Sequence, residues 1–237
     1  MHDLAYDPIH DEIVVTSPFA QAILVFRGGA DGREPPLRVI QGPRTQIVSE
    51  RGLDKVALDP INDEIYIGTS LNQILVFPRE GNGDIPPKRI LGGPATGVSG
   101  RPTIRVDHAR NALLVTGEGG IGKMLVFDRT ASGNVKPRAV LVGPAGNQFE
   151  IYKDLIITHV MDSIYAWDLN KTGENVRPVL RILAPVGDRA QTTTQRGVAL
   201  DPAHKEIIIG TAAGNQVITF SVPELFDWSL TRSSEAR

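Results

Sequence analysis

The amino-acid sequence predicts an all-β chain folded as a β-propeller with five visible four-stranded blades, the last lacking its outer strand. Three observations carry this reading. A unit of about 50 residues recurs along the chain, the period of a propeller blade. Each unit holds an unbroken apolar strand, which needs cover on both faces. No segment sustains a 3.6-residue apolar period with caps, so helices are expected to be scarce.

The first element of each unit ends in a turn aspartate. LAYDPIHDEIVVT, VALDPINDEIYIGT, IRVDHARNALLVT and VALDPAHKEIIIGT place these at Asp7, Asp59, Asp107 and Asp201, in steps of 52, 48 and 94 residues. The last step spans two units, and a degenerate copy, FEIYKDLIITHV, fills the gap from Phe149. Proline after aspartate fixes φ while the aspartate side chain bonds the turn backbone. Innermost strands are therefore expected near 4–7, 55–58, 103–107, 149–152 and 197–200.

The second element is the apolar run: Ile13-Val14-Val15, Ile65-Tyr66-Ile67, Leu113-Leu114-Val115, Leu155-Ile156-Ile157 and Ile207-Ile208-Ile209. Stacked blades bury such a strand from both sides. The third element reads ILVF at Ile23 and Ile74, MLVF at Met124, IYAW at Ile164 and VITF at Val217. The turns that follow carry ADG at Ala30, NGD at Asn82, SGN at Ser132 and TGE at Thr172, read as hairpin breakers. The fourth element is led by proline and carries charge (Arg38, Lys88, Arg89, Arg138, Arg181), as an edge strand should. The fifth unit has no fourth element and runs into SVPELFDWSL. Residues 1–223 are thus expected to form the propeller and 224–237 a tail. The missing strand is expected from a longer, six-bladed parent or from another chain.

These units resemble bacterial NHL-type propeller repeats, in particular a family of bacterial proteins with repeated VFxRxAxGNxxPxRxIxGP segments. The matching stretches are VFPREGNGDIPPKRILGGP from Val76 and VFDRTASGNVKPRAVLVGP from Val126. The resemblance extends from Leu4 to about Pro223. It implies the fold and leaves the activity open, because propellers host binding, scaffolding and several chemistries.

Composition narrows the function. Lys+Arg 25 against Asp+Glu 27 gives a net charge of −2, so composition makes no case for nucleic acid or an anionic membrane as partner. With no cysteine there are no disulfides, thiolate metal sites or cysteine nucleophiles. No apolar run is long enough for a spanning helix and no signal-peptide pattern follows Met1, so a soluble chain of open localisation is expected.

Several motifs imitate functional ones. Gly117–Lys123 fits the phosphate-loop spacing, but Met124 stands where magnesium needs a hydroxyl, and a repeat strand follows where a helix should. Asp168–Asn175 resembles the start of a calcium loop, with Val179 where the closing carboxylate belongs; a divalent metal such as calcium is the one cofactor weighed here. Asn170-Lys171-Thr172 is a glycosylation sequon. His10 and His204 share the turn position of Asn62 and are assigned to the turn.

The candidate binding residues lie around the innermost strands. Arg51, Arg101 and Arg196, with Arg44 and Arg189, sit on connections between units and are expected to form a cationic rim for an anion. Two positions before the turn aspartate, small residues (Ala5, Ala57, Ala199) alternate with Arg105 and Glu150, read as an inter-blade ion pair or a polar channel floor. His159, beside Asp162, is the histidine placed at a strand-joining loop. The expected function is a non-enzymatic binding or scaffold module presenting channel-mouth loops to a protein, glycan or small anionic ligand. The alternative, implied by related six-bladed propellers, is a metal-dependent hydrolase or lyase using Glu118, Asn147, Glu150, His159 and Asp188.

Overall fold

The computed structural model describes residues 3–47, 55–100, 102–116, 122–144, 148–186, 195–211 and 216–228. Its strands form a β-propeller with five blades. The first blade is β1 (Leu4–Asp7), β2 (Glu12–Ser17), β3 (Ala22–Arg27) and β4 (Arg38–Gln41), hydrogen-bonded in that order. The second repeats it with β5 (Val56–Asp59), β6 (Glu64–Thr69), β7 (Gln73–Pro78) and β8 (Arg89–Gly92). The third consists of β9 (Thr103–Asp107), β10 (Ala112–Thr116), β11 (Gly122–Asp128) and β12 (Ala139–Gly143).

The fourth blade is β13 (Glu150–Tyr152), β14 (Leu155–Val160), β15 (Ser163–Asp168) and, after the intervening β16 (Gly173–Val176), β17 (Leu180–Leu183). The fifth has three strands, β18 (Gln195–Asp201), β19 (Glu206–Thr211) and β20 (Gln216–Ser221), followed by α1 (Pro223–Phe226). In the first blade successive strands are antiparallel, the first two joins being four-residue turns and the third a ten-residue connection. The chain divides into two compact units, Met1–Glu118 with Leu125–Arg138, and Gly119–Met124 with Ala139–Arg237.

The apolar runs are buried on both faces. Ile67, Val115, Ile157 and Ile209 are fully buried and Val15 nearly so. In the first unit, Val14, Ile23 and Ile40 of the first blade pack with Val56, Ile65 and Ile67 of the second. In the second unit, Ile157 and Ile164 pack with Val198, Ile207 and Ile209. The apolar tail residues Leu225 and Phe226 join that second cluster from α1, so this stretch closes a core as a helical turn and does not extend the sheet as a strand.

The Asp-Pro turns work through the aspartate. Asp7 Oδ1 accepts the backbone N–H groups of Ile9 and His10 at 2.9 and 3.0 Å, while Oδ2 meets His10 Nδ1 at 2.8 Å. Asn62 does the same for Asp59, Arg110 for Asp107 and His204 for Asp201. His10 and His204 are therefore turn residues. Burial pushes the Asp7 carboxyl up, but the His10 ring and the two backbone donors overcome it and hold it below the usual range.

The Gly-rich connections do more than turn the chain. Gly83 N–H donates to Val39 O at 2.6 Å and Gly83 O accepts from Gln41 N–H at 3.1 Å, so the second blade bonds the outer strand of the first. Gly133 does the same to Ile90 and Gly92, and β16 pairs in parallel with β12. Asp84 Oδ1 then caps the Gly42-Pro43 turn through Arg44 N–H at 2.7 Å, and Asn134 Oδ1 caps the Gly93-Pro94 turn through Ala95 N–H at 2.7 Å. Gly42 and Gly93 have φ of +136° and +117°, and a Cβ on either would collide with Asp84 or Asn134. Turn chemistry alone does not anticipate these bonds; their signal is that NGD and SGN recur in register with a Gly-Pro pair one blade earlier.

Turn aspartates differ in burial, and so in expected cost. Asp59 is completely buried, so Asp59→Ala should destabilise by about 1–3 kcal/mol by leaving turn donors unsatisfied. Asp201→Ala, at a more open turn, should cost less. Urea unfolding of the two variants makes the comparison, and equal costs would refute it.

Candidate functional site

The densest charge cluster of the described residues lies in the first unit. Glu64, at the start of β6, is 3 % exposed and has two oxygens to satisfy. Arg89 of β8 grips both at 2.7 and 2.8 Å, Lys88 reaches Oε1 at 2.8 Å, and the Tyr66 hydroxyl donates to Oε2 at 2.7 Å. Arg129 arrives from the third blade at 3.0 Å, its Nε meanwhile bonded to Asn111 Oδ1 at 2.9 Å. Glu12 repeats the design, holding Arg38 at 2.7 Å and Arg79 of the next blade at 3.1 Å.

Arg79 and Arg129 are the arginines of the VFxR segments, and their role is to tie a blade to the carboxylate of the one before. Sequence reading missed this, although VFPRE and VFDRT repeat the residue at one position. Burial pushes the Glu64 carboxyl up, but Arg89, Lys88 and Tyr66 overcome that and bring it to about 2. Every charge here meets a protein partner, so the cluster is structural.

The sequence-derived site residues are scattered by comparison. Arg51 and Arg101 lie outside the described residues, as do Arg189, Glu118, Asn147 and Asp188. Arg196 lies on β18, and only its backbone is described. Of the proposed rim, Arg44 is described with its side chain, exposed on the Gly-Pro turn after β4. Arg105 is half-buried on β9 and donates to Ile104 O at 3.1 Å. Glu150 is half-buried on β13, opposite Ile157. The two fall in different compact units.

His159 is fully buried on β14, its Nε2 2.8 Å from Ala184 O and its ring stacked on Phe220 at 6.3 Å between centroids. It is a core histidine, whose neighbour Asp162 bonds Ser163 Oγ at 2.8 Å. Gly122, Lys123 and Met124 open strand β11, where a phosphate loop would need a helix. In Asp168–Asn175, Asp168 Oδ1 accepts Asn170 N–H at 3.0 Å and the segment continues into β16. Among the described residues no group of three or more His, Asp or Glu is placed to hold a metal ion. No helix among them is long and apolar enough to cross a membrane.

Among the side chains the first unit presents to solvent are several large apolar ones. Phe19, at the tip of the β2–β3 hairpin, is 95 % exposed. Leu71, at the equivalent β6–β7 tip of the next blade, is 51 % exposed. Antiparallel order puts these tips at the same end as the connections between blades. Asn72 Oδ1 there accepts Gly100 N–H at 2.7 Å, tying tip to connection. In the second unit, Met161 at the β14–β15 tip is 51 % exposed. Composition alone hides these residues among others destined for the core.

The Glu64 cluster sets a pH dependence. A carboxyl whose folded pKa lies below its unfolded value stabilises the fold above the unfolded pKa, and that stability is lost as pH falls through the folded one. The urea midpoint should therefore drop between pH 4.5 and about 2. Glu64→Gln should flatten the profile in that window. Arg129→Met should cost about 3 kcal/mol at pH 7 by stripping a buried carboxylate of one partner; an unchanged midpoint would count against the cluster.

Comparison with known proteins bears on the fold alone. No family model matches the sequence, and no curated protein matches it. Among solved structures, a chain in the crystal structure of the mitotic checkpoint complex is similar, with a TM-score of 0.64 at 13 % identity. The match covers 92 % of this chain and 62 % of that one, so this chain spans less than two thirds of its structural neighbour.

Proposed function

We propose that the chain is a protein-binding scaffold module whose contact face is the end of the first unit that carries the β2–β3 and β6–β7 hairpin tips. The observation behind this reading is Phe19, almost wholly exposed on a four-residue tip, with Leu71 at the matching tip beside it. A phenylalanine in water forgoes roughly 2 kcal/mol of burial energy, which a partner's pocket would recover. Large apolar side chains presented on rigid hairpins are how interface anchors look before binding. The propeller-bearing neighbour comes from a protein complex, which agrees with this role.

A small anion is the second reading, supported by Arg44, exposed on a connection at the same end. The buried Glu12 and Glu64 of the first unit are committed to arginines, Asp7 to its turn, and His159 to a backbone carbonyl, so none of these lends support to hydrolase or lyase chemistry.

The test compares immobilised wild-type protein with the Phe19→Asp/Leu71→Asp double variant in extracts of the source cell. Proteins retained by the wild type should be lost by the double variant. Both positions are exposed, so its stability should stay within about 0.5 kcal/mol. Retention of the same proteins by both would overturn the assignment. Retention that responds to phosphate and to Arg44→Ala would favour the anion.

A further inference from the structure

In the four complete blades the third strand is covered by a fourth, and the structure shows what that strand must bring. Its first backbone N–H donates to a fixed carbonyl: Leu37 to Val25 O, Lys88 to Val76 O, Arg138 to Val126 O and Val179 to Ala166 O, all at 2.7–2.8 Å. The residue facing this carbonyl position follows the first residue of the second strand. Where the second strand opens with Glu12 or Glu64, the fourth strand supplies Arg38 or Arg89 opposite Val25 or Val76. Where it opens with Ala112 or Leu155, the counterparts are Ala139 and Leu180. Two residues on, the fourth strand places an aliphatic side chain over the third: Ile40 on Ile23, Leu91 on Ile74 and Ile182 on Ile164.

The fifth blade has the receiving half of this arrangement. Its second strand opens with Glu206, half-buried, for which no ion pair exists among the described residues. The register equates Thr219 with Val25 and Val76, and Val217 with Ile23 and Ile74. Ile23 and Ile74 are fully buried, whereas Val217 is 74 % exposed. Among the described residues no strand pairs with the outer edge of β20. Lys205, beside Glu206, is already paired with Asp227 at 2.6 Å.

We propose that the open edge of β20 is a docking site for an extended segment of a partner polypeptide, added antiparallel and recognised as Arg-x-Ile or Arg-x-Leu. The arginine lies opposite Thr219 and forks onto Glu206, and the aliphatic residue covers Val217. Backbone bonds supply the pairing, and these two side chains supply register and selectivity. The sequence contains this pattern four times: Arg38-Val39-Ile40, Arg89-Ile90-Leu91 and Arg181-Ile182-Leu183 are already seated in β4, β8 and β17, and Arg51-Gly52-Leu53 lies outside the described residues. The occupant proposed is a segment of another polypeptide carrying this pattern. The site is independent of the Phe19–Leu71 face.

The test titrates the full chain with a fluorescein-labelled peptide of sequence IPPKRILGG, copied from residues 85–93, and with its Arg→Ala analogue. The parent peptide should bind and the analogue about tenfold more weakly. Glu206→Gln should weaken the parent by a similar factor and leave the analogue unchanged, and Val217→Asp should weaken both. Hydrogen exchange should slow at Val217 and Thr219 on binding. No binding at millimolar peptide, or equal affinity for the two peptides, would overturn the proposal. So would binding that Phe19→Asp/Leu71→Asp abolishes and Glu206→Gln leaves intact. The peptide arm needs no change to the protein, so a variant that misfolds does not remove the test.

Discussion

A sheet whose middle strands are apolar on both faces cannot stand alone in water. Every blade here is such a sheet, so each depends on the neighbour that covers it, and whatever fixes neighbouring blades fixes the fold. That attachment is a backbone clasp. The connection after the third strand leaves its own blade, exchanges hydrogen bonds with the outer strand of the preceding one through Gly83 or Gly133, and caps that blade's Gly-Pro turn with Asp84 or Asn134. The clasp satisfies outer-strand groups that would otherwise face solvent as an open edge. It also sets the spacing at which Ile65 and Ile67 meet Val14 and Ile40.

The charged residues serve the same end. Glu12 and Glu64 are buried acids, and a buried carboxylate is tolerable only when several donors meet it. Each takes one arginine from its own outer strand and another from the next blade, so desolvation is offset only while both blades are in place. Charge therefore couples neighbours cooperatively, as apolar contact does. Other polar side chains of the described residues are likewise engaged within the fold: Asp7 with its turn, Glu64 with Arg89, and His159 with a backbone carbonyl. Large apolar side chains, Phe19 and Leu71, remain exposed at two of the hairpin tips.

Among the described residues the fifth blade has three strands and no fourth. Glu206 and Val217 occupy positions that elsewhere are buried by a fourth strand. The chain turns instead into α1, whose Leu225 and Phe226 cover the face of the core. Pro223 explains the choice. It lacks the N–H a continuing strand would need, and it suits the first turn of a helix. Face burial and edge burial are separate requirements, and Leu225 and Phe226 meet the first.

Sequence alone determined the repeat, the all-β class, the five blades and the short last one, because these depend on local periodicity and turn chemistry that recur along the chain. It also identified His10 and His204 as turn residues, since the Asp-Pro turn is built within four residues. Tertiary structure decided the rest. The Gly-rich turns, read locally as hairpin breakers, bond across to the preceding blade, and the VFxR arginines reach carboxylates some 65 residues away in sequence. His159 stands beside a loop in sequence and inside the core in space, because its strand is covered from both faces. Phe19 shows the reverse: its apolar character suggests burial, and only the geometry of the β2–β3 tip leaves it in water. Contacts between blades join residues a full repeat apart, so local pattern predicts that they must exist without saying which atoms make them.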